Sequence, residues 1–272
     1  MTGRAAPRTI VLAAVLIFMA APILIVIVNS FNSTSYGQWP PPSLSLRWYG
    51  NLLRQQDFAD AAVRSVLVAA GATALTLIAG TMGAVALVRL RLPGSAAING
   101  FLLSPMIVPH VALGLAGFTL FLRLHIYGTL PSLIFAHAVL LLPFVVTIVG
   151  AGLVRLDPSI EEAALDLGAS RLRAFWSVVV PQFRASLIIA AVLGLVVSFD
   201  ELDASIFLVS PQNQTLPVAM YTYMQKYQDP TLSALSTVLI AATLILASIL
   251  LRFFGPAGLA QAVAASDRRA LD

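Results

Sequence analysis

The amino-acid sequence predicts an all-α, polytopic membrane protein with six spanning helices. Three observations carry that prediction. Of the 272 residues, 59% are hydrophobic and only 10% are charged, with a mean hydropathy of +0.91. So small a polar complement cannot cover a water-soluble globule of this length. A hydrocarbon core of about 30 Å calls for roughly 20 apolar residues per helix, and six runs of that order occur, at about 10–28, 62–88, 98–122, 130–154, 187–209 and 233–254. Most charged and turn-forming residues fall between those runs.

The first run is too long for the hydrophobic stretch of a cleaved leader, and Ala20, Ala21 and Pro22 lie in its middle, so an uncleaved first helix is expected. Residues 30–61 form the longest outer segment. Pro40, Pro41 and Pro42 preclude regular helix there and lead extended chain toward Trp48 and Tyr49, aromatics of the kind that anchor a membrane edge. Gly71, Gly80 and Gly83 in the second run, and Gly114 and Gly117 in the third, permit close helix contacts. Pro105 and Pro109 lie inside the third run and Pro143 inside the fourth. Each removes a backbone donor, which a membrane helix tolerates where protein or a cavity satisfies the freed carbonyl, so these two spans are expected to pack centrally. His110 and His137, on the same two runs, are expected to be packed, hydrogen-bonded histidines rather than proton-relay groups. No internal repeat points to inverted halves.

Positive residues near span ends are retained on the cytoplasmic side. With the amino terminus inside, Arg4, Arg8, Arg89, Arg91, Arg155, Arg171, Arg173, Arg184, Arg252, Arg268 and Arg269 are cytoplasmic, against Arg47, Arg54, Arg64, Arg123 and Lys226 outside. Both termini are therefore expected in the cytoplasm. The same residues form no run, so a pI of about 9.8 reports topology and not a nucleic-acid partner. The absence of cysteine excludes disulfides, thiolate metal sites and cysteine nucleophiles.

Charge is concentrated at 155–185, where two to eight residues would suffice to join adjacent helices. Asp157 can cap a helix, Pro158 suits its first position, and Glu161 and Glu162 sit where the helix dipole favours anions. Gly168 ends that helix, and Arg171 and Arg173 open a second amphipathic stretch. A helix, turn and helix on the cytoplasmic face results. Ala163 and Ala164 give it a low-profile surface beside the acids, suited to insertion into a cleft on another protein.

A second concentration lies inside the fifth run. A central Asp costs about 2.5–3.5 kcal/mol on translocon scales, so Asp200, Glu201 and Asp203 facing lipid would cost roughly 8–10 kcal/mol. They must face protein or water. On a continuous helix Asp200 and Asp203 share one face, with Glu201 about 100° away. They either pair with Arg64, Arg123 or Arg184, or sit at the outer end of a shifted helix, or line a cation pathway in which Tyr221 and Tyr223 add cation–π attraction if the fold brings them close.

Glu162-Ala163-Ala164, three residues, Gly168, nine residues and then Val178-Val179-Val180-Pro181 resemble the EAA loop of permease subunits in binding-protein-dependent ABC importers. The segments 45–53, 198–209, 215–221 and 232–240 are similar to the second permease of spermidine/putrescine-type importers, although Asp203 stands where such relatives are usually apolar. The resemblance covers nearly the whole chain. It implies a type I ABC importer permease architecture, a single domain over 1–272, in which Glu161, Glu162, Ala163, Ala164, Asp166, Gly168 and Pro181 form the coupling surface for a cytoplasmic ATPase. It also implies a second homologous permease, two ATPase subunits and an extracytoplasmic solute-binding protein in a bacterial cytoplasmic membrane, with a polyamine passing Asp200, Glu201, Asp203, Tyr221 and Tyr223. The chain itself has no nucleotide-binding loop, because its only lysine, Lys226, follows Gln225. ATP and magnesium are accordingly expected in the partner ATPase, with no cofactor on this transport subunit. The alternative is an acid-lined channel or proton-coupled carrier, which would use the acids but not the docking loop.

Overall fold

A computed structural model describes residues 5–35, 38–90 and 93–267. Arg4, Arg91, Arg268 and Arg269, which entered the topology count, lie outside the described residues. In chain order the helices are α1 (Ala5–Ser30), α2 (Arg47–Arg54), α3 (Gln56–Arg89), α4 (Ser95–Leu103) with a 3₁₀ turn at Ser104–Met106, α5 (His110–Arg123) and α6 (Leu130–Val154). They continue with α7 (Pro158–Asp166), α8 (Arg171–Ala174), a π-helical turn at Phe175–Val179, α9 (Val180–Phe199), α10 (Ser205–Leu208), α11 (Leu216–Lys226) and α12 (Thr231–Asp267). Among the described residues no strand forms, and one antiparallel bridge joins Asn32 to Leu44.

Among the described residues, five stretches are individually long and apolar enough to cross a membrane: Val11–Ser30, Gln56–Arg89, Leu130–Val154, Arg171–Phe199 and Thr231–Ile249. A sixth is broken, since Ser95–Met106 and His110–Arg123 meet at a bend of 98°. Pro109 is the physical cause. It has no N–H, and its ψ of 134° is extended, so α5 starts a new hydrogen-bond ladder after it. Pro105, in the opening of the 3₁₀ turn, needs no donor and is accommodated.

The fifth span departs furthest from expectation. It ends at Phe199 and not at 209, with Asp200 as its cap. The two exposed carboxylates, Asp200 and Asp203, thereby escape a helix interior and reach the surface. It also begins early, because the stretch from Arg171 runs on through the π-helical turn into α9, with a local departure at Phe183 (φ −106°, ψ 15°) two residues after Pro181. Half of the expected loop at 155–185 is thus the opening of a span.

The chain divides into two compact units, Met1–Phe58 with Met220–Asp272, and Ala59–Ala219. In the first, α1 packs on α12, and Asn29 Nδ2 donates to Ser233 Oγ at 2.9 Å. Buried Trp48 holds α2 in place by donating from Nε1 to the Asn32 carbonyl at 2.6 Å. In the second, α6 is the centre and α9 packs along it. Its Leu133, Leu141, Val145 and Val149 are buried against Val68, Ala72, Ala84, Val179 and Phe183. Central packing therefore holds for the fourth run, but in the third it is confined to α5, whose Gly114 and Phe121 are buried, while α4 has no buried residue.

Candidate functional site

The acids do not share a face. Because α9 stops at Phe199, the helical relation of Asp200 to Asp203 is absent, and both are exposed. Glu201 alone turns inward, at 8% exposure. Its Oε1 accepts from the Ala204 N–H at 2.8 Å, and its Oε2 lies 2.9 Å from His110 Nδ1. The arginines that the sequence nominates are occupied elsewhere or exposed: Arg64 donates from Nε to the Gln214 carbonyl at 2.9 Å, and Arg123 and Arg184 are exposed.

Close backbone approach makes the His110–Glu201 pair possible. His110 opens α5, and Gly114 follows one turn later on the same face. A Cβ on Gly114 would fall 2.7 Å from the Cα and the carbonyl oxygen of Ala204, so only glycine lets α5 lie against the backbone between α9 and α10. The irregular segments 107–109 and 200–204 therefore meet at one histidine–carboxylate contact. Irregular backbone within apolar spans is tolerated where protein or a cavity surrounds it, and the His110 side chain is 35% exposed. The far side of the second segment is strapped by His137, fully buried on α6, whose Nδ1 and Nε2 lie 2.7 Å from Ser198 Oγ and 2.8 Å from Ser205 Oγ. His137 is the packed histidine that the sequence predicts. His110 is hydrogen-bonded as expected, to Glu201, but only half-buried.

Tyr221 and Tyr223 belong to the first unit. Tyr223 is buried, with ring centroids 5.2 Å from Phe58 and 4.6 Å from Tyr227, and its hydroxyl donates to Asp229.

In the loop, the Asp157 carboxylate caps α7 by accepting from the Ser159 N–H at 3.0 Å, a bond that holds its pKa below the ordinary aspartate value. Gly168 has φ +90°. The Ala169 N–H reaches the Ala164 carbonyl at 3.0 Å and the Gly168 N–H the Leu165 carbonyl at 2.9 Å, the paired bonds of a Schellman turn. Glu161 is committed to an ion pair with Arg89 at the end of α3. Glu162, Ala163, Asp166, Gly168 and Pro181 are exposed and Ala164 is half-buried. The structure adds an apolar crest that charge-based reading passed over: Leu167, Leu172 and Trp176 are 90%, 70% and 63% exposed. Large apolar side chains beside a polar turn were its signal.

Residues 75–257, which include both the His110–Glu201 pair and the capped loop, match the family described as "Binding-protein-dependent transport system inner membrane component". The chain belongs to that family. It is a multi-pass transport component and not an enzyme. Relatives include the "Spermidine/putrescine transport system permease protein PotC" of Escherichia coli (strain K12), 31% identical over 86% of this chain and 88% of that protein. The "Putrescine transport system permease protein PotI" of the same strain is 32% identical over 86% of each. The "Putative 2-aminoethylphosphonate transport system permease protein PhnV" of Salmonella paratyphi A is 29% identical over 90% of this chain and 92% of that one. Among solved structures, a chain of a bacterial ABC transporter "involved in the import of the acidic polysaccharide alginate" superposes with a TM-score of 0.75 at 16% identity, over 92% of this chain and 95% of that one. This binding-protein-dependent component thus has the ABC importer permease fold.

Proposed function

We propose that this chain forms half of the translocation pathway of an ATP-driven importer for a small cationic solute of the polyamine class. It works with a second homologous permease, two cytoplasmic ATPase subunits that bind ATP and magnesium, and an extracytoplasmic solute-binding protein, with both of its own termini in the cytoplasm. The observation that carries the reading is Glu201, a buried carboxylate just past the end of the fifth span that meets the break in the third. Ionisable groups at such depth are costly and mark pathways. Among the described residues its one side-chain partner is a part-exposed histidine, so an ammonium group arriving from the hydrated side competes for the carboxylate oxygen. At about 4 Å and an effective dielectric of 20, that attraction is on the order of 4 kcal/mol, enough to discriminate cations from neutral solutes. The exposed Asp200 and Asp203 add negative potential on the approach. The names of the PotC and PotI relatives support polyamines as the solute.

The test is uptake of labelled putrescine or spermidine by the assembled complex. Asp200→Asn with Glu201→Gln should reduce uptake at least about tenfold while assembly and basal ATP hydrolysis persist. Unchanged uptake in that double variant would return the acids to a purely structural role, and wild-type transport of a neutral or anionic solute instead would remove the polyamine reading.

A further inference from the structure

The first unit holds a feature that solute passage does not use. A cavity of about 730 Å³ lies between α2 and the turn that joins α11 to α12. Arg47, Arg54 and Lys226 line it, all exposed. These are three of the five cations that the charge count puts outside the membrane, the side on which Lys and Arg are disfavoured. Topology therefore does not explain their convergence.

The cavity is electrostatically unsatisfied. Among the described residues its one acidic lining residue is Asp229, already engaged by the Tyr223 hydroxyl at 3.0 Å and the Thr231 N–H at 2.9 Å. Among the described residues, no carboxylate lies within ion-pair distance of Arg54 or Lys226. Arg47 forms a fixed wall, because its guanidinium lies 4.2 Å from the Trp48 ring centroid and donates to the Ser33 carbonyl at 3.0 Å. Three cations against one engaged acid leave a net charge of +2 in a preformed concavity. That charge repels a cationic solute, so the cavity is no part of its route. It suits a carboxylate, which an arginine holds with two parallel hydrogen bonds.

We propose that this cavity is a docking socket for an acidic side chain of the extracytoplasmic solute-binding protein. The inference rests on the import reading above. Dependence on a binding protein is a property of the family, and such a partner must meet the outer segments of the chain. A charged, part-rigid socket suits weak and rapid docking, since complementary charge steers encounter more than it adds affinity. A phospholipid phosphate carries the same anionic chemistry, and the experiment separates the two.

The assembled complex is placed in vesicles of phosphatidylcholine, and its ATP hydrolysis is followed as the solute-binding protein is titrated. Arg54→Glu with Lys226→Glu should raise the half-saturating concentration about tenfold or more, leave the maximal rate unchanged and flatten the salt dependence. Arg54→Gln with Lys226→Gln, a milder change at exposed positions, should shift it in the same direction by less. An unchanged half-saturating concentration in both pairs, or a fall in maximal rate alone, overturns the socket. A difference between wild type and variants that follows added phosphatidylglycerol and not the binding protein assigns the cavity to lipid and also overturns it. Wild-type hydrolysis indifferent to the binding protein removes the import reading itself, a failure visible before any variant is made.

Discussion

Glu201 and His110 decide the character of the inner site, and their contacts limit how much the pair contributes to stability. The carboxylate is buried and keeps a second partner in the Ala204 N–H. An unsatisfied buried acceptor costs about 1–3 kcal/mol, but the His110 side chain is 35% exposed, so water can replace part of what it supplies. His110→Ala should therefore destabilise the assembled complex by about 1 kcal/mol, while His110→Asn, which keeps an N–H donor, should lose less. Thermal unfolding in mild detergent measures both. Equal midpoints for wild type and His110→Ala would mean that the pair is not formed in the protein. Sequence made each residue visible as a polar group in an apolar run, but not the pairing, because 91 residues separate them and no local period relates a helix start to a helix end.

At the scale of elements, the helices divide by whether their ends are decided locally. The start and stop of α7 were legible because Asp157, Pro158 and Gly168 act through bonds to neighbours two to five residues away. At φ +90° any side chain is strained and a β-branched one most, by roughly 1–2 kcal/mol or more. Gly168→Val should redirect the chain into α8 and abolish ATP-driven uptake while membrane insertion is retained, and Gly168→Asn should keep most of the activity. Uptake by the Gly168→Val complex equal to wild type would separate this turn from coupling. The end of α9 was legible only as one alternative, a shifted helix with the acids at its outer end, and it is the burial of Glu201 beside His110, with His137 holding Ser198 and Ser205, that stabilises irregular backbone at 200–204.

For the molecule as a whole, exposed apolar surface is the dominant fact. Phe18, Ile107 and Val196 are 80%, 84% and 60% exposed, as spans in lipid or against another permease require. Leu167, Leu172 and Trp176 lie in the capped loop and the opening of the fifth span, next to residues that bind water well, and a protein partner accounts for them better than lipid does. The chain tagged and extracted in mild detergent should therefore bring down a second permease and an ATPase in stoichiometric amounts, measured by mass spectrometry of the intact complex. Leu167→Asp with Leu172→Asp should release the ATPase and leave the permease pair intact. Retention of the ATPase by that variant would place the coupling contact elsewhere.

The sequence by itself determined the solvent, the approximate spans and the turn of the loop. Each rests on composition, run length or contacts within a helical turn, which a chain carries wherever it folds. Only the tertiary structure decided where the third span breaks and the fifth ends, which acid turns inward and which histidine meets it. It also decided that Glu161 pairs with Arg89 and that Arg47, Arg54 and Lys226 line one cavity. Those outcomes depend on which backbones can approach, as Gly114 allows at Ala204, and close approach between segments some 90 residues apart leaves no period in the sequence to read.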